Sequence, residues 1–375
     1  MLQPIDDAMY MRLALQLAES TLGQTGVNPA VGCVIVKDGR IVGTGAHLRQ
    51  GGPHAEIHAL RMAGADAEGA TLYVTLEPCC HHGRTPPCAE RLIREKIGRV
   101  VVACLDPNPV VAGRGVAMLR EAGIPVEVGL MEREAKALNE PFAKFITSGR
   151  PFVTLKAACS LDGRIAAGTG DSKWISNEAA RLEAHGLRHR HQAVMVGVET
   201  VLKDDPRLTA RLPVSALQPV RLIVDSALRT PADAAVVLTA DRVPTWILTT
   251  EEADADKQRV LERRGAVVIR CGSSGGRVDL DAAMAALGSR GIGSILLEGG
   301  GRLNGAMLEA GLVDKVVLYV APIIIGASGV PAFALAGAET VAGAIRLERM
   351  TVETVGDNIR VTGYPVRPDG PAARH

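Results

Sequence analysis

The stretch EPCCHHGRTPPC at residues 77–88, together with PHAE at residues 53–56, carries most of the information about the first half of the chain. His54 stands just before a helical pattern, and Cys79 and Cys88 enclose a loop that leads into another helix. One imidazole and two thiolates form a three-ligand zinc set that leaves the fourth metal position for water. Ligands at helix N-termini also gain from the helix dipole, which favours the thiolate form of cysteine. The spacing therefore predicts a zinc site with hydrolytic chemistry.

A carboxylate stands beside this predicted site. Glu56 lies two residues after His54, close enough to face the open metal position without binding the metal. His-x-Glu followed by Pro-Cys-x-x-Cys is typical of zinc nucleobase deaminases, in which the glutamate shuttles protons. Here the two cysteines are nine residues apart, so a long loop replaces the short one. A structural zinc is the alternative interpretation, because Cys80, His81 or His82 offers a fourth protein ligand.

Helix and strand patterns alternate around the predicted site. Residues 31–36 and 41–46 predict two strands joined by a hairpin turn at Asp38-Gly39. Another strand is predicted at residues 71–76, and one long helix is predicted at residues 131–146. Helices interleaved with strands predict a three-layer α/β/α domain.

The breaker cluster TSGRP at residues 147–151 follows that helix, and we place the domain boundary there. The predicted domains are residues 1–147 and residues 151–367. The second domain again alternates between strand and helix patterns, which predicts a second α/β domain with its own core. Its strands are predicted at residues 152–158, 193–198, 221–224, 246–249, 267–269, 294–297 and 315–320.

Composition narrows the class of protein. A chain of 375 residues fits two domains, and 42 Lys and Arg against 41 Asp and Glu give a net charge of +1. That balance, with only 3% aromatic residues, argues against nucleic-acid binding. The longest apolar stretch, residues 316–325, is interrupted by Pro322 and is too short to cross a membrane. The N-terminus does not resemble a signal peptide, and the seven cysteines do not suggest a disulfide framework, so we expect a cytoplasmic protein.

Motifs spread over the first half resemble one known family, the bifunctional deaminase/reductases of riboflavin biosynthesis. The long loop between the two cysteines is itself a mark of that family and distinguishes the chain from cytidine, guanine and tRNA-adenosine deaminases. The sequence departs from the family at Cys80, where a serine is usual. The matching motifs are NPAVG at 28–32, PHAE at 53–56, EPC with HGRTPPC within 77–88, DPNP at 106–109 and AGRG at 112–115.

This resemblance implies a cytidine-deaminase-like domain in which His54, Cys79 and Cys88 bind zinc and Glu56 is the general acid/base. The implied substrate is 2,5-diamino-6-(ribosylamino)-4(3H)-pyrimidinone 5′-phosphate, which loses its ring amine by hydrolysis. The polar residues implied to contact the ring or the phosphate are Asn28, His47, His81, Arg84 and Asn108. For Asn28 and Asn108 the alternative is an ordinary turn role, because each precedes a proline.

A glycine run stands out in the second half. Gly299, Gly300 and Gly301 lie between the strand at residues 294–297 and a helix that begins near Leu303. Such glycines let backbone N–H groups approach a phosphate at a helix N-terminus. The pattern is not Gly-x-Gly-x-x-Gly, and a tight turn is the alternative explanation.

The second half also resembles the same family, in its reductase domain, which is similar in fold to dihydrofolate reductase. The resemblance implies hydride transfer from NADPH to the ribosyl group, with Lys156 and Asp204 as candidate proton sources. The matching motifs are KAACSLDGR at 156–164, SKWI at 172–175, GVETVL at 197–202, VDS at 224–226 and EGGG at 298–301. The residues implied to line the NADPH site are Ala158, Trp174, Thr200, Asp204, Ser226, Gly300, Gly301, Arg302, Leu303, Asn304, Gly305 and Ala306. The residues implied to face the substrate are Ser172, Leu208, Arg211 and Glu298.

The same residues also allow interpretations of other classes. The run RHRH at residues 188–191 could be a nucleic-acid patch, but a solvated helix end is the interpretation we prefer. A tRNA or free-base deaminase fused to an unrelated domain is the rival enzyme, and a zinc-stabilised binding protein is the rival from another class. The long cysteine loop and the second-half motifs argue against the first, and the intact Glu56 argues against the second. The family resemblance also leads us to expect a homodimer or a higher homo-oligomer.

Overall fold

The computed structural model describes residues 6–81 and 87–366 of the chain. The chain divides into two compact units, Met1–Gly149 and Arg150–His375. Each unit has its own main sheet and its own hydrophobic core. Arg84 and His82, which the sequence analysis singled out, lie outside the described residues.

The first unit is built on a five-stranded sheet. Its elements are α1 Asp7–Glu19, β1 Gly32–Lys37, β2 Arg40–Ala46, α2 Ala55–Ala63, β3 Thr71–Val74, α3 Cys88–Arg94, β4 Arg99–Val102, α4 Arg114–Glu121, β5 Val126–Val128, α5 Glu132–Leu138 and α6 Glu140–Ser148. The strand order is β2-β1-β3-β4-β5. Strand β1 runs antiparallel to β2 and β3, and β3, β4 and β5 run parallel.

Glycines let helices approach both faces of this sheet. A Cβ on Gly45 of β2 would lie 2.2 Å from the Ala55 carbonyl oxygen of α2, and a Cβ on Gly32 of β1 would lie 1.9 Å from the Ala14 carbonyl oxygen of α1. Gly45 pairs across the strands with Cys33, the neighbour of Gly32. Because successive residues of a strand point to opposite faces, α1 and α2 cover opposite faces. The predicted α/β/α layering is confirmed.

The single helix predicted at residues 131–146 is wrong, because the chain forms two helices separated at Asn139. The Asn139 side chain accepts a hydrogen bond from the Ala30 N–H at 2.8 Å and donates one to the Ala30 carbonyl at 2.9 Å. Its backbone leaves the helical conformation, and Pro141 opens the next helix without a backbone N–H. A long-range side-chain contact of this kind leaves no periodic signal in the sequence.

The second unit is built on a nine-stranded sheet. Its elements are β6 Phe152–Ser160, β7 Arg164–Ala166, α7 Glu178–Arg190, β8 Ala193–Gly197, α8 Val198–Asp204, β9 Val220–Val224, α9 Ala235–Leu238, β10 Thr245–Thr249, α10 Ala255–Arg263, β11 Val267–Arg270, β12 Ser273–Ser274, β13 Arg277–Val278, α11 Leu280–Ser289, β14 Ser294–Leu297, α12 Gly301–Glu309, β15 Lys315–Ala321, β16 Val330–Pro331, β17 Arg346–Val355 and β18 Asn358–Val366. The order is β11-β10-β9-β8-β14-β6-β15-β18-β17. The predicted second α/β domain is confirmed.

Strands β17 and β18 were not predicted from the sequence. They form an antiparallel hairpin that turns at Gly356, whose φ is +63°, and β18 continues the sheet from β15. Every residue of β17 except Val355 is exposed. A strand with both faces in solvent need not alternate apolar and polar residues, so the usual period-two pattern is weak.

Candidate functional site

Two of the three predicted metal ligands lie at helix N-termini. His54 caps α2, and Cys88 is the first residue of α3. The His54 Nδ1 atom lies 3.5 Å from the Cys79 Sγ atom and 3.3 Å from the Cys88 Sγ atom. One ligand atom from each of these residues lies within 4.8 Å of the other two. Residues separated by up to 34 positions in sequence are thus brought together at one point of the first unit.

The charge state of the thiols suits a metal. Hydrogen bonding from the Cys88 thiol, opposed in part by burial, lowers the pKa of Cys79 to about 4. The Cys88 backbone N–H also donates to the Cys79 sulfur at 3.3 Å. The same contact, together with burial, raises the pKa of Cys88. One imidazole nitrogen and two cysteine sulfurs gathered at one point fit zinc, which displaces protons from its thiol ligands.

Glu56 lies in the first turn of α2 and is 3% exposed. Burial, reinforced by the negative charge of Cys79, raises the pKa of Glu56 to about 7. A carboxyl group whose pKa lies near neutral pH can both accept and donate a proton during catalysis. Glu56 is not among the three clustered ligand residues, as expected for a proton shuttle.

A buried histidine connects Asn28 to the start of α2. The His47 Nδ1 atom lies 3.1 Å from the Pro53 carbonyl oxygen, which can only accept, so this nitrogen carries the hydrogen. Burial lowers the pKa of His47, and the neutral ring leaves Nε2 to accept from the Asn28 side-chain amide at 3.3 Å. The rings of His47 and His54 meet edge to face with centroids 5.4 Å apart. Asn28 and His47 therefore lie next to the metal-ligand cluster.

The second unit concentrates charge around Lys156. This residue lies on β6, in the interior of the sheet between β14 and β15. Glu298 follows β14 and forms an ion pair with Arg188 of α7, in which the Arg188 Nε atom lies 3.0 Å from Oε1. Burial alone would raise the pKa of Glu298, but Arg188 and then Lys156 lower it to about 2. Burial lowers the pKa of Lys156, with Glu298 opposing the shift and Arg188 adding to it.

Similarity to known proteins runs the length of both units. Residues 4–104 match the cytidine and deoxycytidylate deaminase zinc-binding region, and residues 151–361 match the RibD C-terminal domain. The riboflavin biosynthesis protein RibD of Bacillus amyloliquefaciens is 46% identical over 357 residues, which cover 95% of this chain and 95% of that protein.

The chain belongs to the RibD family.

Other RibD proteins extend the match. The Escherichia coli protein is 44% identical over 368 residues, covering 95% of this chain and 98% of that one. The solved structure of Acinetobacter baumannii RibD is 40% identical with a TM-score of 0.86, covering 96% of this chain and 99% of that one. The diaminohydroxyphosphoribosylaminopyrimidine deaminase/5-amino-6-(5-phosphoribosylamino)uracil reductase of Thermotoga maritima is 37% identical with a TM-score of 0.84, covering 96% and 98%.

RibD proteins are bifunctional deaminases and reductases of riboflavin biosynthesis, so the function expected from the sequence is confirmed. The chain combines a zinc-binding deaminase domain with an NADPH-dependent reductase domain. A tRNA or free-base deaminase fused to an unrelated domain is not favoured. Within residues 6–81 and 87–366, no helix has both the length and the apolar character needed to cross a membrane.

The remaining deaminase candidates differ in how their side chains are used. Asn108 accepts from the Val110 N–H at 3.1 Å, which is the turn role that the sequence left open. His81 is exposed, and neither it nor Cys80 belongs to the ligand cluster among the described residues. Burial raises the pKa of Cys80, which disfavours its thiolate form.

Glu77, which was not predicted from the sequence as a functional residue, organises the deaminase loop. It is 3% exposed, and its carboxylate accepts from the N–H groups of Asp106, Gly113 and Val116 at 3.2, 2.8 and 3.1 Å. These bonds fasten the residue before Pro78 to the start of α4. A glutamate directly before Pro-Cys was the available signal, but nothing in the sequence named its partners.

The glycines at the start of α12 differ in how closely neighbouring backbone approaches them. A Cβ on Gly301 would lie 2.2 Å from the Pro331 carbonyl oxygen, and a Cβ on Gly305 would lie 2.2 Å from the Ala334 carbonyl oxygen. Gly300 differs, because nothing lies within 4 Å of where its Cβ would be. Asn304 is buried and donates to the Ala332 carbonyl at 3.1 Å. Close backbone approach therefore explains Gly301 and Gly305, while Gly300 borders open space.

The other reductase candidates are spread over several elements. Trp174 is 71% exposed and stacks with Arg181, whose guanidinium carbon lies 4.7 Å from the ring centroid. Arg211 is exposed and donates to the Thr209 hydroxyl at 3.2 Å. Ser226 accepts from the Val278 N–H at 3.1 Å. Leu208 is buried, Asp204 and Arg302 are exposed, and Ala158, Ser172, Thr200, Leu303 and Ala306 are half-buried.

The interpretation of residues 188–191 as a solvated helix end is wrong for two of these four residues. Arg188 is largely buried in its ion pair with Glu298. The His191 ring lies 2.7 Å from the Leu187 carbonyl oxygen and 2.9 Å from the Thr154 hydroxyl. These residues face the sheet because α7 lies against it, a tertiary contact that the basic composition of the run conceals.

Proposed function

We propose that the two activities of this chain are carried by the residues gathered in each unit, within domains at residues 1–147 and 151–367. The observation that carries the proposal is the convergence of His54, Cys79 and Cys88 beside the buried Glu56. The deaminase substrate is 2,5-diamino-6-(ribosylamino)-4(3H)-pyrimidinone 5′-phosphate, and the reductase converts the ribosyl group of the deaminated product to ribityl.

In the deaminase unit, His54, Cys79 and Cys88 would hold zinc, which would act as a Lewis acid and lower the pKa of the attacking water. Glu56 accepts a proton from that water as the C–O bond forms at the ring carbon. It then donates a proton to the exocyclic nitrogen, the C–N bond breaks, and ammonia leaves. Asn28, His47, His81 and Asn108 contact the ring side of the substrate, and Arg84 pairs with the phosphate.

In the reductase unit, NADPH when bound would supply the hydride for reduction at the first carbon of the sugar. Lys156, protonated, donates its proton to the sugar ring oxygen as the ring opens, and Asp204 is the second candidate proton source. Glu298 remains ionised, and its negative charge stabilises the positive charges of Arg188 and Lys156. The residues that contact the substrate are Ser172, Leu208, Arg211 and Glu298. Arg211 pairs with the substrate phosphate. The NADPH site is lined by Ala158, Trp174, Thr200, Asp204, Ser226 and residues 300–306.

We propose a homodimer formed through the exposed face of β17 and β18. Val352 pairs with Val361, and Ile359 lies two residues before Val361 on β18, so these three apolar side chains share one face. Met350, Val352 and Ile359 are 59%, 58% and 41% exposed. Sedimentation at micromolar concentration tests this, and a monomer would contradict it. We also propose a cytoplasmic location, because thiol ligands stay reduced there.

The experiment that tests the deaminase assignment is Glu56→Gln in the full chain. We expect the variant to retain zinc and the reductase rate, and to lose about 10²- to 10⁴-fold in the deaminase kcat, because it removes a general acid/base and no ligand. Zinc content is measured by metal analysis and ammonia by a coupled assay. Loss of zinc in the variant, or an unchanged deaminase rate, would remove Glu56 from its assigned role.

A further inference from the structure

Lys156 has an aromatic neighbour that the proposed mechanism does not use. Its Nζ atom lies 5.8 Å from the centroid of the Tyr319 ring. In the pairing of β6 with β15, Lys156 is opposite Val317 and Ala158 is opposite Tyr319. Residues two apart on a strand point to the same face, so Lys156, Ala158 and Tyr319 lie on one face of the sheet. An ammonium within about 6 Å of a ring centroid is attracted by the negative face of the ring.

The Tyr319 ring is held rigidly. Tyr319 is 1% exposed, and its hydroxyl donates to the Glu183 Oε2 atom of α7 at 2.9 Å. The same oxygen accepts from Arg360 Nη1 of β18 at 2.7 Å. Ala180, Val317 and Val355 form a buried hydrophobic cluster with Tyr319. A ring fixed at its hydroxyl and along its edges presents a constant surface to Lys156.

Two residues of helix α7 bind the groups that surround Lys156. Glu183 orients Tyr319, and Arg188 pairs with Glu298, which is the anionic neighbour of Lys156. The charged groups that act on Lys156 are Glu298, after β14, and Arg188, on α7. Glu298 favours the ammonium, whereas Arg188 and burial disfavour it. The ring is a further group on this face that favours the charged form.

We propose that Tyr319 is a positioning residue of the reductase, whose ring face holds the Lys156 ammonium in place for proton donation to the sugar. This inference rests on the proposed role of Lys156 as the proton source. Tyr319 itself donates no proton, because its hydroxyl is bound to Glu183.

The test compares phenylalanine and pentafluorophenylalanine at position 319 of the full chain. The two residues have nearly the same shape, but fluorination reverses the charge distribution of the ring face. We expect Tyr319→Phe to keep the reductase kcat within about threefold of the unsubstituted chain, because it retains the ring face. The fluorinated variant should lose about 3- to 30-fold in kcat relative to Tyr319→Phe, with the KM for NADPH unchanged. Its loss of activity at alkaline pH should begin at a lower pH, because the ring no longer favours the charged lysine.

Thermal unfolding of the reductase unit in each variant serves as the control for folding, because that unit has a core of its own. Equal reductase rates and equal alkaline pH profiles for the two ring variants would overturn the role of Tyr319. Lys156→Met separates this result from failure of the mechanism. If that variant keeps the full reductase rate, the assignment of Lys156 is wrong. If it loses activity while the ring variants agree, only the Tyr319 inference fails.

Discussion

At the scale of single residues, buried charges carry both stability and chemistry in this chain. Glu298 and Arg188 have only 12% and 14% of their side chains exposed, so solvent screens their attraction weakly. A pKa held near 2 means that the folded state keeps Glu298 ionised in acid where the unfolded chain is already protonated. The ion pair therefore links the stability of the reductase unit to pH.

The direction of this linkage follows from the lowered pKa. The contribution of Glu298 is fully present above about pH 4.5 and is lost as the pH falls through about 2. Between pH 6 and pH 3 we expect the wild-type reductase unit to lose about 2 kcal/mol more stability than Glu298→Gln. Urea unfolding at the two pH values measures the difference.

A matched control uses an exposed ion pair. Glu199 pairs with Arg229 at 2.6 Å, with about half of each side chain exposed. Glu199→Gln should follow the wild-type acid dependence closely, because surface pairs contribute little. If Glu298→Gln and the wild-type chain lose stability in parallel, the buried pair does not produce the acid sensitivity.

The metal centre was the part of the site most visible at this scale. His54, Cys79 and Cys88 are strong chemical signals at an informative spacing, and they predicted a ligand cluster with Glu56 beside it. Arg188 and Glu77 were missed because their roles depend on partners distant in the sequence. A basic or acidic residue does not indicate in advance whether it will face solvent or a buried partner.

At the scale of elements, the glycines at the start of α12 are of two kinds. Gly301 and Gly305 admit the backbone of the segment around residues 331–334, whereas Gly300 borders open space at the proposed NADPH site. Gly300 has a φ of −72°, which any residue adopts without strain.

The two kinds of glycine should respond differently to a methyl group. Gly305→Ala is expected to destabilise the reductase unit by about 1 to 3 kcal/mol, because the added carbon meets fixed backbone. Gly300→Ala should leave stability unchanged and raise the KM for NADPH. Thermal unfolding and steady-state kinetics on the two variants provide the comparison. A Gly300→Ala variant with an unchanged KM would place the cofactor away from this glycine.

Element type was easier to predict than element boundaries. The hairpin at Asp38-Gly39 was predicted correctly because both residues occupy positive φ, which the Asp-Gly pair favours. The break at Asn139 was missed because its cause is a hydrogen bond to Ala30, 109 residues away. Strands β17 and β18 were missed because exposed strands carry little hydrophobic pattern.

At the scale of the whole molecule, each unit has its own core and contains one of the two clusters to which we assign an activity. The metal-ligand cluster lies within Met1–Gly149, and Lys156 with Glu298 lies within Arg150–His375. Both activities belong to the RibD family, and they act on one pyrimidine in succession. The division predicts that each reaction can be followed separately in the same sample.

The most direct test measures ammonia release and NADPH oxidation together, with the zinc-loaded chain and the diaminopyrimidinone ribosylamino phosphate. Without NADPH, we predict that ammonia is released and that the deaminated pyrimidine accumulates. With NADPH, oxidation should follow ammonia release after a lag, and Glu56→Gln should abolish both on this substrate. NADPH oxidation without prior ammonia release, or no ammonia from the zinc-loaded chain, would contradict the account.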